Sequence, residues 1–411
     1  MSERNTELDS EVCVIGGGPG GLMLALQLAR RGNRVVVVEQ SARYKRHFRG
    51  ESISPDSVRL LDRLGLMNAI AARGEFARTN RFEISDGGAA ALRVDFRDIS
   101  PDGSLPTEIP QQVLLEVLAE EAARHPGFTL LRRHSVTGLL RSADGRITGA
   151  RCTGPDGPLD IHADLTVGAD GRFSSVLELS GLPFTRKPLG RDVLWFKVPL
   201  PDTWDDDTVR VRIDRDRHAL MLPTHPRSLR VGLNIPKGGL KQVRAQGLPA
   251  LHGQITAFAP ELGPAVRTHI TRWSDLSLLD IFTTSVPRWS RDGLVLIGDA
   301  AHTLSPILGQ GVNHAIMDAL ALAPLVSDAL TAPDRRQRLA TALTRFQKLR
   351  EPAVERTRRT QSAQERAFGL SSAPAVQARQ RVYRLVNSQK WLKHWLWRRI
   401  YYTLPPRLSS P

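Results

Sequence analysis

A chain of 411 residues with 41% hydrophobic and 24% charged residues has the balance of a globular protein, and its length suits two domains or one large domain with an insertion. No apolar run reaches the roughly 18 residues of a membrane-spanning helix. The net charge of +15 is partly local: nine Lys or Arg and no Asp or Glu fall between Arg366 and Pro411, so it is weak evidence for nucleic acid.

The polar, acidic start from Met1 to Glu11 lacks the pattern of a secretion signal. Val12-Cys13-Val14-Ile15 predicts a buried parallel strand. Gly16 to Gly21 forms a glycine-rich turn. Leu22 to Arg31 predicts a helix, with Leu22, Leu24, Ala25, Leu28 and Ala29 on one stripe and Gly32-Asn33 as its stop. Val35 to Val38 is a second buried strand, and Glu39 follows it. This is β-α-β in about 30 residues. Further helices are predicted at Pro55–Leu64 and Gln111–Arg124. Strands follow at Phe128–Leu131, Ser135–Leu140 and Leu165–Gly168, with a hairpin turn at Asp144-Gly145. Between about Pro188 and Pro287, the pieces Val193–Val198, Val209–Ile213, Ala219–Leu222 and Arg230–Ile235 alternate with turn residues. They predict a mostly β insertion, with a helix near Gly247–Phe258. Leu294 to Ile297 returns as a buried strand, a helix runs from about Gly311 to Leu330, and residues 335–368 predict a highly charged helix. Cys13 and Cys152 lie far apart without metal-ligand spacing, which fits a reducing cytoplasm and not a disulfide framework.

Gly16-Gly17-Gly18-Pro19-Gly20-Gly21 satisfies G-x-G-x-x-G. The first glycine permits the tight turn, the second admits a pyrophosphate, the third lets helix and strand pack closely, and the helix start attracts phosphate. Glu39, 18 residues after Gly21, suits the hydroxyls of an adenosine ribose and would repel a 2′-phosphate. NADP is therefore disfavoured in this site, and FAD or NAD remain. A second constellation runs from Leu294 to Asn313. A strand delivers Asp299 to a turn where its carboxylate suits a polyol. Gly309 and Gly311 open a helix whose start favours negative charge, as on a reduced flavin. The third piece is Gly168-Ala169-Asp170-Gly171-Arg172, an Asp-Gly turn after a strand.

These three pieces, in this order, resemble the group A flavoprotein monooxygenases, the para-hydroxybenzoate hydroxylase-like family, over roughly residues 10 to 330. The resemblance implies an α/β fold: a Rossmann-like, glutathione-reductase-type FAD domain (1–75, 106–184 and 286–332), an inserted, mostly antiparallel β substrate domain (76–105 and 185–285), and a C-terminal helical region (333–411). It implies that Gly16, Gly18, Pro19, Gly20 and Gly21 hold the FAD pyrophosphate and Glu39 the ribose. Arg49 and Gln111 would lie along the FAD linker and ribityl region, Val136 by the adenine and Asp299 on the ribityl chain. The loop of Pro306, Gly309, Gln310, Gly311, Val312 and Asn313 would pass the isoalloxazine ring. Asp170 and Arg172 are tied to fastening the FAD domain and to NAD(P)H use. The implied reaction is oxygenation of an aromatic or polycyclic substrate by molecular oxygen through a C4a-hydroperoxyflavin, with NADPH or NADH as donor and no metal. Arg49, His225 and Pro306 are the candidates for a catalytic part; a lone histidine such as His225 is more often structural, and His302 reads as a local partner of the turn.

Three rivals stay open: a reductase of a prenyl or lipid-like substrate, suggested by Arg49-Gly50-Glu51-Ser52, a non-catalytic flavin-binding protein, and a basic membrane- or nucleic-acid-binding protein with a vestigial nucleotide fold. Trp391 to Tyr402 reads as a basic, aromatic amphipathic helix. It packs on the β insertion, lies on an anionic membrane, or caps the substrate pocket.

Overall fold

β-branched apolar runs need cover on both faces, and the first such run forms the centre of the main sheet. β1 (Thr6–Ile15), α1 (Pro19–Arg30) and β2 (Val35–Glu39) make the β-α-β unit, with β1 and β2 paired in parallel from Val12↔Val35 to Ile15↔Val38. The computed structural model describes residues 6–44 and 50–404, so Arg49 lies outside the described residues.

Next come β3 (Ser52–Ile53), α2 (Pro55–Arg63), α3 (Leu66–Ala71), β4 (Ala77–Arg78), β5 (Arg81–Asp86), β6 (Ala89–Asp95), α4 (Phe96–Ile99) and β7 (Thr107–Glu108). β3 and β4 both pair with β7, forming a small three-stranded sheet, while the β5–β6 hairpin leaves to join a second large sheet. α5 (Gln111–Ala123) packs beside α1, and β8 (Phe128–Arg132) adds to β2 in parallel. β9 (Ser135–Arg141), β10 (Ile147–Gly154) and β11 (Gly157–Gly168) form a meander, and β11 runs parallel to β1 from Thr6↔Leu159 to Ile15↔Gly168.

After α6 (Ser175–Ser180), β12 (Thr185–Pro188) pairs in a separate ribbon with a later strand. β13 (Arg191–Pro199), β14 (Thr208–Asp214), β15 (Arg217–Thr224) and β16 (Ser228–Pro236) follow, then α7 (Leu240–Phe258), α8 (Gly263–His269), β17 (Ser277–Leu279) and β18 (Phe282–Ser285), the partner of β12. The second sheet has the order β17-β13-β16-β15-β14-β5-β6, antiparallel throughout except where β14 meets β5. Strand alternation gives it two faces. Leu194, Phe196, Met221, Leu229, Val231 and Leu233 pack under α7 and α8, while Trp195, Val209, Leu222 and Arg230 face a cavity. α7 begins earlier than the pattern near Gly247 suggests. Gly247, at φ 84°, breaks it ahead of Pro249, so two helical pieces meet at a kink.

β19 (Ser290–Arg291) and β20 (Leu294–Leu296) return to the main sheet, which reads β19-β20-β11-β1-β2-β8. α9 (Asp299–His302), α10 (Gly311–Leu330) and α11 (Arg335–Phe368) follow, then α12 (Ala373–Ser388) and α13 (Lys390–Tyr401). The last two helices pack on the β5–β6 end of the second sheet. Leu392, Leu396, Trp397 and Tyr401 meet a cluster containing Ile84, Leu92, Val94 and Phe96. Arg379 of α12 is buried and forks onto Asp86, with bonds of 2.7 and 3.0 Å. Among the described residues no helix is long and apolar enough to cross a membrane.

Candidate cofactor and substrate site

A cavity of about 550 Å³ runs from the C-terminal ends of the main-sheet strands to the inner face of the second sheet. Its first half is a glycine cradle. Gly16 sits at φ 110°, and a Cβ there would lie 2.4 Å from the Ala169 carbonyl oxygen; a Cβ on Gly21 would lie 2.0 Å from the Gly16 carbonyl oxygen. The loop therefore closes tightly and leaves the start of α1 open. Gly18, Pro19 and Gly20 line the cavity, and α1 has neither a side-chain cap nor an acidic residue in its first turn. Its leading N–H groups are available to an anion. Glu39 accepts bonds at 2.8 Å from the N–H groups of Gly17 and Ser41, so its buried carboxylate lies against the fingerprint loop.

A second helix start meets the same cavity. α10 likewise lacks a side-chain cap and first-turn acids. The loop before it turns through Leu308 at φ 69° and Gly309 at φ 61°. Asp299, Pro306, Gly309, Gln310, Gly311, Val312 and Asn313 all line the cavity. The Asn313 side chain is engaged by the protein itself. Its Oδ1 accepts from Ser54 N–H at 2.9 Å, and its Nδ2 donates to the carbonyls of Ser52 (3.2 Å) and Gly309 (3.0 Å). It ties the loop to β3. Behind the loop, Asp318 accepts from Gly298 N–H at 2.9 Å and Arg350 Nε at 2.8 Å, and lies 2.7 Å from His302 Nε2. Burial opposes that charge, but His302 and Arg350 outweigh it and hold the Asp318 carboxyl well below the usual range. His302 is thus a local partner that fixes the Gly298-Asp299 turn.

The residues fit FAD. Two helix starts converge on the cavity, and the Glu39 carboxylate lies just behind its lining, bonded to Gly17 and Ser41. Gln111 also lines it and keeps a buried Oε1 without a partner. Gly50, at φ 60°, leaves room for that side chain: a Cβ would lie 2.5 Å from Gln111 Nε2. Asp170 and Arg172 reach the cavity too, with protein partners of their own. Asp170 accepts from Ser174 Oγ (2.5 Å) and Val176 N–H (3.0 Å), and burial raises its carboxyl. Arg172 bonds the Asp280 carbonyl and lies 4.6 Å over the Phe282 ring. Val136, on β9, is half-buried and does not line the cavity; its strand follows His134, whose N–H donates to the Glu39 carbonyl at 3.1 Å.

His225 is a correction. It sits beside Pro226 in the β15–β16 turn, just beyond the paired cavity residues Leu222 and Arg230, and is not among the residues that line the cavity. The histidine that lines the cavity is His218, on β15, which burial and then the Arg191 and Arg379 charges hold down to about 4. The sequence reading also misses Trp195, Arg230, Glu51, Glu108 and Tyr401. One signal was present for Arg230: it occupies an alternate position between Leu229 and Val231, which face the helices.

A family model described as FAD binding domain matches residues 9–357. The 6-methylpretetramide 4-monooxygenase of Streptomyces rimosus is 36% identical over 379 residues, 92% of this chain and 89% of that protein. The protoasukamycin 4-monooxygenase of Streptomyces nodosus subsp. asukaensis is 26% identical over 379 residues, 90% of each. Among solved structures, Pseudomonas aeruginosa PqsL in complex with 2-aminobenzoylacetate aligns with TM-score 0.76 and 25% identity, over 88% of this chain and 97% of that one.

Proposed function

We propose a specific reaction for this chain, which belongs to the FAD binding domain family and is an FAD-dependent group A monooxygenase: hydroxylation of a polycyclic aromatic phenol with NADPH or NADH as electron donor. The observation that carries this reading is the single cavity that joins the cofactor cradle to an apolar chamber. Phe82, Trp195, Val209, Leu220, Leu222 and Leu279 form that chamber, an aromatic and aliphatic lining that suits fused rings. The relative named for acting on 6-methylpretetramide supports the substrate class. The relatives named above are monooxygenases, which does not favour a prenyl reductase or a non-catalytic flavoprotein.

Bound FAD supplies the redox and oxygen-transfer chemistry. The chain's residues bind it and shield it. The α1 start would hold the pyrophosphate, Glu39 the ribose and Asp299 the ribityl chain. The α10 start would place N–H groups where negative charge develops on the reduced ring. With cofactor and substrate bound, the second sheet and the C-terminal helices would shield the chamber from water.

The test is an anaerobic absorbance titration of the purified protein with NADPH and then NADH, with and without polycyclic phenols. Faster flavin bleaching with one phenol, followed by incorporation of one atom of labelled O₂ into it, is the expected result. A flavin that neither nicotinamide reduces, whatever phenol is present, would overturn the reading.

A further inference from the structure

The cavity wall holds a charged cluster that the cofactor fit does not use. Arg230 is 3% exposed. Its Nη2 donates to Glu108 Oε2 at 2.7 Å and Ser52 Oγ at 3.0 Å, and its Nη1 lies 3.4 Å from Glu51 Oε2. Lys197, its cross-strand neighbour, lies 3.7 Å from the same Glu51 oxygen. Two cations therefore face two carboxylates. Two donors are left over. Arg230 Nε and the indole Nε1 of Trp195, whose ring centre lies 5.1 Å from the guanidinium, are buried without hydrogen-bond partners. Both residues line the cavity. A buried N–H without an acceptor is costly. Glu51 Oε2 is likewise without a hydrogen-bond partner, but it lies 3.4 Å from Arg230 Nη1 and serves neither of these two N–H groups, which still call for an oxygen.

We propose that Arg230 and Trp195 bind the acidic hydroxyl oxygen of a phenolic or enolic substrate, and that Glu108 accepts its proton. This rests on reading the cavity as the site of a polycyclic phenol. In the step, the phenol O–H bond breaks, an O–H bond forms on the Glu108 carboxylate, and the electron pair stays on the phenol oxygen. The cluster's net charge does not change, because the guanidinium faces a carboxylate before the step and a phenolate after it. No unpaired buried charge is created. Burial first, and Glu51 beside it, raise the Glu108 carboxyl against the opposing pull of Arg230, Ser52 and Lys197, which makes it a better proton acceptor than an exposed glutamate. Tyr401 of α13 lines the same cavity, and the Glu108 charge adds to burial in raising its hydroxyl. Ser52, which shares Arg230, bonds Asn313 through its carbonyl at 3.2 Å, so the cluster stands at the seam between the cofactor loop and the chamber. An ionised ring oxygen makes the ring electron-rich, the state an electrophilic oxygen donor requires.

The test uses the full-length FAD-loaded protein and 2-hydroxyanthraquinone, whose visible band moves to longer wavelength when its phenol ionises, with 2-methoxyanthraquinone as control. At a pH where the free dye is protonated, the wild-type protein should bind it as the phenolate, and should bind the methoxy dye about tenfold more weakly or worse. Replacing Arg230 leaves buried carboxylates unpaired and endangers the fold, so two milder variants carry the test. Trp195→Phe should weaken dye binding about threefold to tenfold. Glu108→Gln leaves Arg230 one carboxylate short. It should therefore still bind the dye as the phenolate but release the proton to the medium, where the wild type keeps it on Glu108. A pH indicator in weak buffer reads the difference, and the flavin spectrum should be unchanged. Equal affinity for both dyes, or equal proton release by the wild type and Glu108→Gln on binding the hydroxy dye, overturns the proposal while leaving the hydroxylase reading intact. A wild-type protein that binds neither dye, and whose flavin reduction neither accelerates, removes the phenol reading and this assignment with it.

Discussion

Gly21 has no space for a side chain, since a Cβ would lie 2.0 Å from a backbone oxygen that is itself fixed by the main sheet. Gly21→Ala should displace the fingerprint loop and cost about 2–3 kcal/mol of cofactor affinity, roughly 30- to 150-fold in the dissociation constant of FAD. Fluorescence titration of the apoprotein measures it, and a variant that keeps its yellow colour through purification would show that the cradle lies elsewhere. A second residue carries a pH signature. His314 is buried, with Nδ1 3.0 Å from Arg350 Nη2 and Nε2 2.9 Å from Thr357 Oγ1. Burial and then the Arg350 charge hold it down to about 3. The unfolded chain's histidine takes its proton near pH 6.5, and the folded one takes it only near 3. Above that window the group contributes no pH dependence. As pH falls through it, the unfolded state binds the extra proton, and stability drops by roughly 3 kcal/mol by pH 4. In urea titrations between pH 7 and 4, His314→Gln should show a shallower acid limb than wild type; parallel limbs would rule His314 out as the source. The glycines and Glu39 were legible because each constraint acts within one β-α-β unit. Arg230 and Glu108 were not, because their bond joins residues 122 apart in sequence.

The C-terminal helix shows what periodicity can and cannot say about an element. The spacing of Leu392, Leu396, Trp397 and Tyr401 marks an apolar face, but a face does not name its partner. Of the three placements open to it, the structure shows packing on the second sheet, with Tyr401 reaching the cavity wall. The charged run of residues 335–368 is legible as helix, whereas α12 after it is not, and its Arg379 is buried on Asp86. What fastens the strap is Asp56 of α2, buried, which accepts bonds from Thr403 N–H (2.6 Å), Thr403 Oγ1 (2.7 Å) and Leu404 N–H (3.0 Å). Arg59 answers from the next turn, donating to the Leu404 carbonyl at 3.1 Å and pairing with Asp102 at 3.2 Å. Asp56→Ala removes the acceptor of three hydrogen bonds and one partner of a buried arginine, a loss of about 3 kcal/mol. The variant should retain FAD, lose its C-terminal segment to dilute protease faster than wild type, and show a KM for a phenolic substrate that rises more than kcat falls. A protease pattern identical to wild type would mean that the strap is held by its helices alone.

At the scale of the whole molecule, the two sheets differ in how much a sequence can show. Strands of the parallel sheet are covered on both faces and read as unbroken apolar runs, so Val12–Ile15, Val35–Val38 and Leu294–Ile297 are visible singly and in order. Strands of the second sheet alternate, and their pieces are visible between Pro188 and Pro287. The order β17-β13-β16-β15-β14-β5-β6 is not, because the parallel pairing of β14 with β5 is long-range. The charge distribution is legible directly, and the fold gives it a face. Once α12 and α13 have packed, Val382, Leu385, Trp391 and Trp395 remain exposed at 56, 58, 69 and 51%. They share a segment with Arg381, Arg384, Lys390 and Arg399, and Arg399 lies 5.3 Å over the Trp395 ring. Indoles beside cations, with no acid between Arg366 and Pro411, suit the headgroup layer of an anionic bilayer, where each basic residue near the surface contributes about 1 kcal/mol. The full chain should therefore sediment with phosphatidylglycerol vesicles at low ionic strength and stay in the supernatant with phosphatidylcholine. Binding should weaken as salt shortens the screening length to about 3 Å at 1 M. The Trp391→Ala, Trp395→Ala double variant should lose the salt-resistant part first, because indole insertion is apolar while attraction of the arginines is screened. Protein left free of anionic vesicles at low salt would end the membrane proposal, and a variant equal to wild type at every salt concentration would assign the attraction to charge alone.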